Sequence, residues 1–327
     1  MNAAAADLDL DFAAQFTEKF DNAPKLSTAK VIIVGENFKA ATLYEIAAAI
    51  SLLGANIDRM VRIAATPVLA LEFSISFTSF EIDNLRKALS MIGKANDAAI
   101  SLIESGPASG SRKLVIFDVD STLIQEEVID LLAARANVAA EVSAITTAAM
   151  RGELDFSSSL TKRVSLLAGL SADDLITVRS EIHLSEGARN LIKFLHAQGH
   201  IVAAVSGGFV DVIEPLMAEL GIANYRANKL EITDGKLTGA ITGAVVDSKS
   251  KSETLVKFAH EFKILMTDTV AIGDGANDIA MLKSAGIGIA FNAKPKLKEI
   301  ADIVLDIARL DAVIYLLGLS NLDVTSN

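Results

Sequence analysis

At 327 residues the chain has room for two or three domains and a large buried core. A net charge of −11 argues against a nucleic-acid backbone as partner, which needs a basic face, and the lack of cysteine excludes disulfides and thiolate metal sites. Hydrophobic residues make up 51% and mean hydropathy is +0.41, yet no uncharged run approaches the ~20 residues that span a bilayer, so no membrane partner is expected.

The opening "MNAAAADLDLDFAAQF" is acidic where a secretory leader would be basic. A loosely packed tail is therefore expected over 1–27, in a cytoplasmic protein. From Lys30 the pattern sharpens. "KVIIVGE" reads as a strand, "ATLYEIAAAISLLGA" as an amphipathic helix, and "IDRMVRI" and "PVLALEFSIS" as two strands. "DNLRKALSMIGKAN" reads as a second helix, with a closing strand near "DAAISLIE". This βαββαβ order predicts a small α+β unit over 28–105. The Gly, Pro and Ser of "SGPASGSRK" then mark a linker and a domain boundary.

Beyond the linker, "KLVIF", "HIVAAVS", "TVAIGD" and "GIGIAF" alternate with helical sequence, except after the last. Such alternation predicts a parallel sheet with helices on both faces, built from 106–124 and 186–327. Between its first two strands lies an outsized connection, 125–185, whose blocks "EEVIDLLAARA", "AAEVSAITTAAMRG", "FSSSLTKRVSLLAG" and "SADDLITVRSEI" each read as helices. A helical insertion there sits where a lid would sit, because ligands of open α/β sheets bind outside the carboxyl ends of the strands.

Those ends carry acid. Asp118 and Asp120 close the first core strand, two apart in an extended stretch, so both side chains point the same way. Alone, an Asp-x-Asp is more readily an acidic turn. A calcium loop fails on detail, since Leu123 stands where Gly is needed and Ile129 where a bidentate Glu is needed. "VAIGDGANDIAML" repeats the pattern with Asp274 and Asp278, so two strands present carboxylates on one sheet edge. An all-oxygen cluster suits a hard cation, and Mg²⁺ is the usual one where phosphate also binds. "HIVAAVSGGF" ends in Ser206-Gly207, a hydroxyl beside a backbone amide that could cradle phosphate, though Ser-Gly turns are common. "DSKSKSET" supplies Lys249 and Lys251, one to reach an anionic site and one to remain solvated. His196 and His200 flank Gly199, where a helix should end, and share no metal.

"DVDST", "VSGGF", a lysine before the last crossover and "GDGAND", in this order, resemble the haloacid dehalogenase-type phosphatases. "DSTLIQEEVID", "KRVSLL" and "ITDGKLTG" resemble the phosphoserine phosphatase branch of that family, over about 112–310. The N-terminal element order resembles the amino-acid-binding regulatory (ACT-like) domains that some members carry. The resemblance implies a Rossmann-like parallel-sheet core, an inserted helical cap and a ferredoxin-like α+β domain. It implies Mg²⁺-dependent hydrolysis of O-phosphoserine, the last step of serine biosynthesis, through an aspartyl-phosphate on Asp118, with Asp120 as general acid and then base. Mg²⁺ would be bound by Asp118, the Asp120 backbone carbonyl and Asp274, with Asp278 in support. Ser206, Gly207 and Lys251 would hold the phosphoryl oxygens, with Asn277 nearby. In the cap, Glu127 would meet the substrate ammonium and Arg163 its carboxylate, while Met150 and Phe156 shut out water. Without the family, Arg163 reads as a surface helix arginine, and Met150 and Phe156 as core. An amino-acid regulator and a homodimer are the further partners it admits. Two rivals are a phosphatase or phosphotransferase of the same fold acting on another small phosphomonoester, and an amino-acid sensor with an inactive core.

Overall fold

The structure, a computed structural model, describes residues 27–78, 82–105, 111–151 and 153–319, without the Met150 side chain. All but the last residue of the expected tail, and 106–110 of the linker, lie outside the described residues.

The N-terminal unit runs β1 (Ser27–Gly35), α1 (Ala40–Leu52), β2 (Asn56–Ala64), β3 (Leu69–Phe77), α2 (Ile82–Ala95) and β4 (Ala99–Glu104). Its antiparallel sheet has the order β2-β3-β1-β4. One face, with Val31, Ile33, Phe73, Ile75 and Ile100, packs on Ile46 and Ile50 of α1 and Leu85 and Leu89 of α2. The unbroken apolar run of β1 has a second cause. Side chains alternate across a strand, and Ile32 and Val34 join Ala70 and Ala99 in a cluster that continues into the rest of the protein.

The larger sheet has seven strands in the order β11-β10-β9-β5-β6-β7-β8. In chain order these are β5 (Leu114–Phe117), β6 (Ile201–Phe209), β7 (Asn224–Thr233), β8 (Lys236–Thr242), β9 (Thr269–Gly273), β10 (Ile287–Phe291) and β11 (Ile303–Leu305). All neighbours are parallel except β7 and β8. That pair is a hairpin over a segment expected only as a family match. Asp234 and Gly235 form its two-residue turn, both at positive φ (50° and 73°), as an Asp-Gly hairpin requires.

Between β5 and β6 lie α3 (Val128–Arg135), α4 (Ala139–Met150), α5 (Phe156–Ser165), α6 (Ala172–Arg179) and α7 (Ala188–Ala197). The chain leaves and re-enters the core at adjacent points, where Ile124 bridges Leu184 and the Gln125 N–H donates to the His183 carbonyl at 2.9 Å. α3 to α6 form the insertion. α8 (Val210–Leu220) follows β6, α9 (Ser248–Phe262) precedes β9, and α10 (Ile279–Ser284) precedes β10. β10 is followed by a helix after all, α11 (Pro295–Ile300), with Pro295 at its start where the missing N–H costs nothing. α12 (Val313–Leu316) closes the described chain.

The two sheets meet through α12 and α11. Val313, Leu316 and Leu317 share the cluster of Ile32 and Val34, and an added Cβ at Gly318 would lie 2.7 Å from Ile103 Cδ1. Lys94 Nζ of α2 donates to the carbonyls of Glu299 (3.2 Å) and Ala301 (3.3 Å), and Ser90 Oγ to that of Asp302 (3.1 Å). No helix among the described residues is long and apolar enough to cross a membrane.

Candidate active site

The strand ends at Phe117 and the chain turns at once. Val119 already has helical backbone angles, Asp120 is extended (φ −63°, ψ 135°) and Ser121 has a φ of 56°, so the two acids do not lie two apart on one extended strand as expected. The Ile124 N–H closes that turn on the Val119 carbonyl at 2.9 Å. Asp118 is held by two donors to Oδ1, the Val119 N–H and Lys251 Nζ, both at 2.7 Å. Asp120 faces another way: its Oδ1 accepts from the Val128 N–H of the cap at 2.9 Å, and its Oδ2 from Ser206 Oγ at 2.8 Å.

Lys251 reaches this centre from α9 because it lies on the buried stripe of that helix, with Thr254, Leu255 and Ala259. It is fully buried and also pairs with Asp278 Oδ1 at 2.7 Å. Lys249, two residues away and therefore on another face, is 83% exposed and pairs with Glu253. Asp274 and Asp278 come from the turn after β9, where an added Cβ at Gly273 would strike Asp278 Cγ at 2.5 Å. Carboxylate oxygens of Asp118, Asp274 and Asp278 lie within 4.8 Å of one another, close enough to hold a metal ion. Asn277 is half-buried in the same turn.

The cap closes over these groups. Glu127 accepts from Ser121 Oγ at 2.9 Å. The Phe156 ring covers Gly207, where an added Cβ would meet Cζ at 2.9 Å. Arg163 is half-buried, and its Nε meets no hydrogen-bond partner. Met150 ends α4, and its side chain lies outside the description. His196 and His200 stay apart from the site, the latter accepting the Lys113 N–H at 3.1 Å.

Two groups at the site escaped the sequence reading. Gly208 donates its N–H to Ser206 Oγ at 2.7 Å, and an added Cβ there would lie 2.5 Å from Asp120 Oδ2. Lys294 pairs with Asp274 Oδ2 at 3.4 Å, and its N–H donates to the Asp274 carbonyl at 2.8 Å. No local signal marked it; it reaches the site because it follows β10, which lies beside β9 in the sheet.

Burial pushes the Asp118 carboxyl well above the usual carboxylate range; Asp278 adds to the push and Lys251 opposes it. Burial likewise raises Asp120, against the hydrogen bonds from Val128 and Ser206, and raises Asp274, with Asp278 adding to it. Glu127 is pushed up to about 7, first by burial and then by Asp120 and Asp274. Burial works against the charge on Lys251, but Asp118 and Asp278 outweigh it and raise its pKa. Burial lowers Arg163, opposed by Glu127, Asp130 and Asp120.

A haloacid dehalogenase-like hydrolase profile matches residues 112–286, and an ACT domain profile matches 27–102. Phosphoserine phosphatase of Streptomyces coelicolor is 46% identical over 93% of this chain and 74% of its own length. A second relative, the phosphoserine phosphatase SerB2 of Mycobacterium tuberculosis, is 42% identical over 97% of this chain and 78% of its own. Among solved structures, a phospho-aspartyl intermediate analogue of phosphoserine phosphatase superposes with a TM-score of 0.60 at 46% identity, covering 63% of this chain and 98% of that one. The chain belongs to the phosphoserine phosphatase family of haloacid dehalogenase-like hydrolases, with an ACT domain ahead of the catalytic core.

Proposed function

We propose that the protein hydrolyses O-phospho-L-serine to L-serine and phosphate in two displacements. Asp118 attacks phosphorus while the bond to the serine oxygen breaks, and Asp120 gives its proton to that oxygen. Water then attacks the aspartyl-phosphate, Asp120 takes a proton from it, and the bond to Asp118 breaks. The division of labour follows from the environments. Both donors to Asp118 fall on Oδ1, which leaves Oδ2 to attack. Asp118 has the Lys251 ammonium at 2.7 Å to favour its charged form. The hydrogen bonds to Asp120 come instead from neutral donors, the Val128 N–H and Ser206 Oγ, and burial raises it, so Asp120 is the one suited to hold a proton for part of the cycle. Lys251, Ser206 and the amide of Gly207 would hold the phosphoryl oxygens, with Asn277 nearby.

The donor set fits Mg²⁺. It is all oxygen, and its buried carboxylates outnumber Lys251 and the half-exposed Lys294, leaving negative charge for a divalent ion to balance. Asp118, Asp274, Asp278 and the Asp120 carbonyl would hold it, and when bound it neutralises charge developing on the phosphoryl oxygens. At the other end of the substrate, Glu127 would meet the ammonium and Arg163 the carboxylate, with Phe156 and Met150 excluding water. The ACT domain would take an amino-acid regulator.

The observation that carries the substrate assignment is the half-buried Arg163 with an unpaired Nε, near enough to Glu127 and Asp120 for their charges to act on it. Phosphate release from a panel of phosphomonoesters, with and without Mg²⁺, tests it. O-phosphoserine should lead the panel and EDTA should stop the reaction; a preference for an ester without carboxylate would overturn the reading.

A further inference from the structure

We propose that Ser159 is a specificity-determining residue: its hydroxyl and the Arg163 guanidinium together receive the substrate carboxylate. The proposal rests on Arg163 facing that carboxylate and adds a second donor from the same helix.

Four buried side-chain polar atoms among the described residues have no hydrogen-bond partner, and two of them, Ser159 Oγ and Arg163 Nε, lie one turn apart on α5. Residues four apart share a helix face. Phe156, three residues before Ser159, belongs to the same stripe and rests on Gly207 at the floor of the site. Ser159 is only 1% exposed. A hydroxyl inside a helix normally satisfies itself by donating back to the carbonyl four residues earlier. This protein does so repeatedly: Thr146 on Val142 (3.0 Å), Thr147 on Ser143 (2.9 Å), Thr254 on Ser250 (2.7 Å) and Ser284 on Ala280 (2.9 Å). Ser165, later in α5, donates to the Lys162 carbonyl at 2.8 Å. Ser159 does not, although the Asp155 carbonyl is in place and accepts the Ser159 N–H at 3.0 Å.

Buried polar atoms are nearly always paired, so an exception needs an explanation, and a ligand that arrives later supplies one where two such atoms share a helix face at the site. Ser159 supplies one O–H donor and Arg163 a planar fork of N–H donors. A carboxylate offers two oxygens with about four acceptor positions, enough for both. The substrate class is therefore a phosphomonoester carrying a free carboxylate close to its phosphate-bearing carbon.

The test measures phosphate release by the full chain on O-phosphoserine and on O-phosphoethanolamine, which keeps the ammonium and phosphate and lacks the carboxylate. Ser159→Ala should lower kcat/KM on O-phosphoserine by roughly 10- to 150-fold, as for a hydrogen bond to a charged group. On O-phosphoethanolamine it should change little. In an Arg163→Ala background the same substitution should cost less, because both donors serve one anion. Ser159→Ala breaks no protein hydrogen bond, so Tm should not fall. Equal losses on both substrates, no loss on either, or a lowered Tm would overturn the role of Ser159. If the unmodified enzyme does not prefer O-phosphoserine over O-phosphoethanolamine, the carboxylate reading itself falls, and this proposal with it.

Discussion

Replacing Lys251 by Met tests the electrostatic construction of the site more directly than replacing an acid. The side chains are similar in length, so packing in the buried stripe of α9 is largely retained while the charge is lost. Lys251 is fully buried and makes 2.7 Å contacts with both Asp118 and Asp278, with Asp274 in the same cluster. Removing one partner of a buried ion pair costs about 3–5 kcal/mol, because the remaining charge is left uncompensated. At about 2–4 °C per kcal/mol for a domain of this size, Tm should fall by roughly 6–20 °C at pH 7.5 without metal. The sign of the pH dependence follows from the carboxylates. Burial already raises Asp118 and Asp274, and loss of the cation raises them further. The folded variant then binds more protons than the unfolded chain, so its stability falls as pH rises from about 4 towards the raised values, by about 1.4 kcal/mol per pH unit for each proton kept. The deficit against the unmodified protein should thus be small near pH 5 and large at pH 7.5. Mg²⁺ should restore part of it, about 2.7 kcal/mol at a hundred times Kd. Circular dichroism melts at several pH values, with and without Mg²⁺, measure all of this. A deficit that is the same at pH 5 and 7.5, or no deficit at all, would refute the reasoning.

Asp118→Asn should abolish turnover and the acid-labile phosphoenzyme, whereas Asp120→Asn should slow turnover by roughly 10²–10⁴-fold; steady-state rates with acid-quench labelling distinguish them. Arg163→Ala should lower kcat/KM on O-phosphoserine by roughly 30- to several-thousand-fold, from the 2–5 kcal/mol of a truncated charge pair, and spare an aryl phosphate. With Glu127 raised to about 7, the carboxylate that would meet the ammonium forms only as pH passes that value, so kcat/KM should rise through about pH 7. In Glu127→Gln only the rise near pH 6, from the substrate's own phosphate, should remain. Deleting residues 1–105 uncovers Val313, Leu316 and Leu317, which pack beside Ile32 and Val34. At about 1.5–3 kcal/mol for each large apolar side chain uncovered, the truncated core should melt well below the full chain; equal Tm values would mean that the junction contributes nothing.

Features that depend on short-range order were legible before the fold was known. Alternating strands and helices, the acids at the ends of "KLVIFDVD" and "VAIGDGAND", and the helical insertion were legible because period and turn chemistry act over a few residues. Lys251 was half legible. Counting back four residues from Leu255 puts it on an apolar stripe, but its partners Asp118 and Asp278 are 133 and 27 residues away. Lys294 was missed because a lone lysine before Pro295 has no local peculiarity; only the sheet order β10-β9-β5 brings it to Asp274. The tertiary structure alone decided that the outer face of β1 is buried against α12, so that the linker composition of 105–113 gives no sign of the shared apolar cluster. It also decided that Ser159 and Arg163 keep unpaired donors. Burial and pairing are set by what the rest of the chain brings within a few ångströms, and no local pattern encodes that.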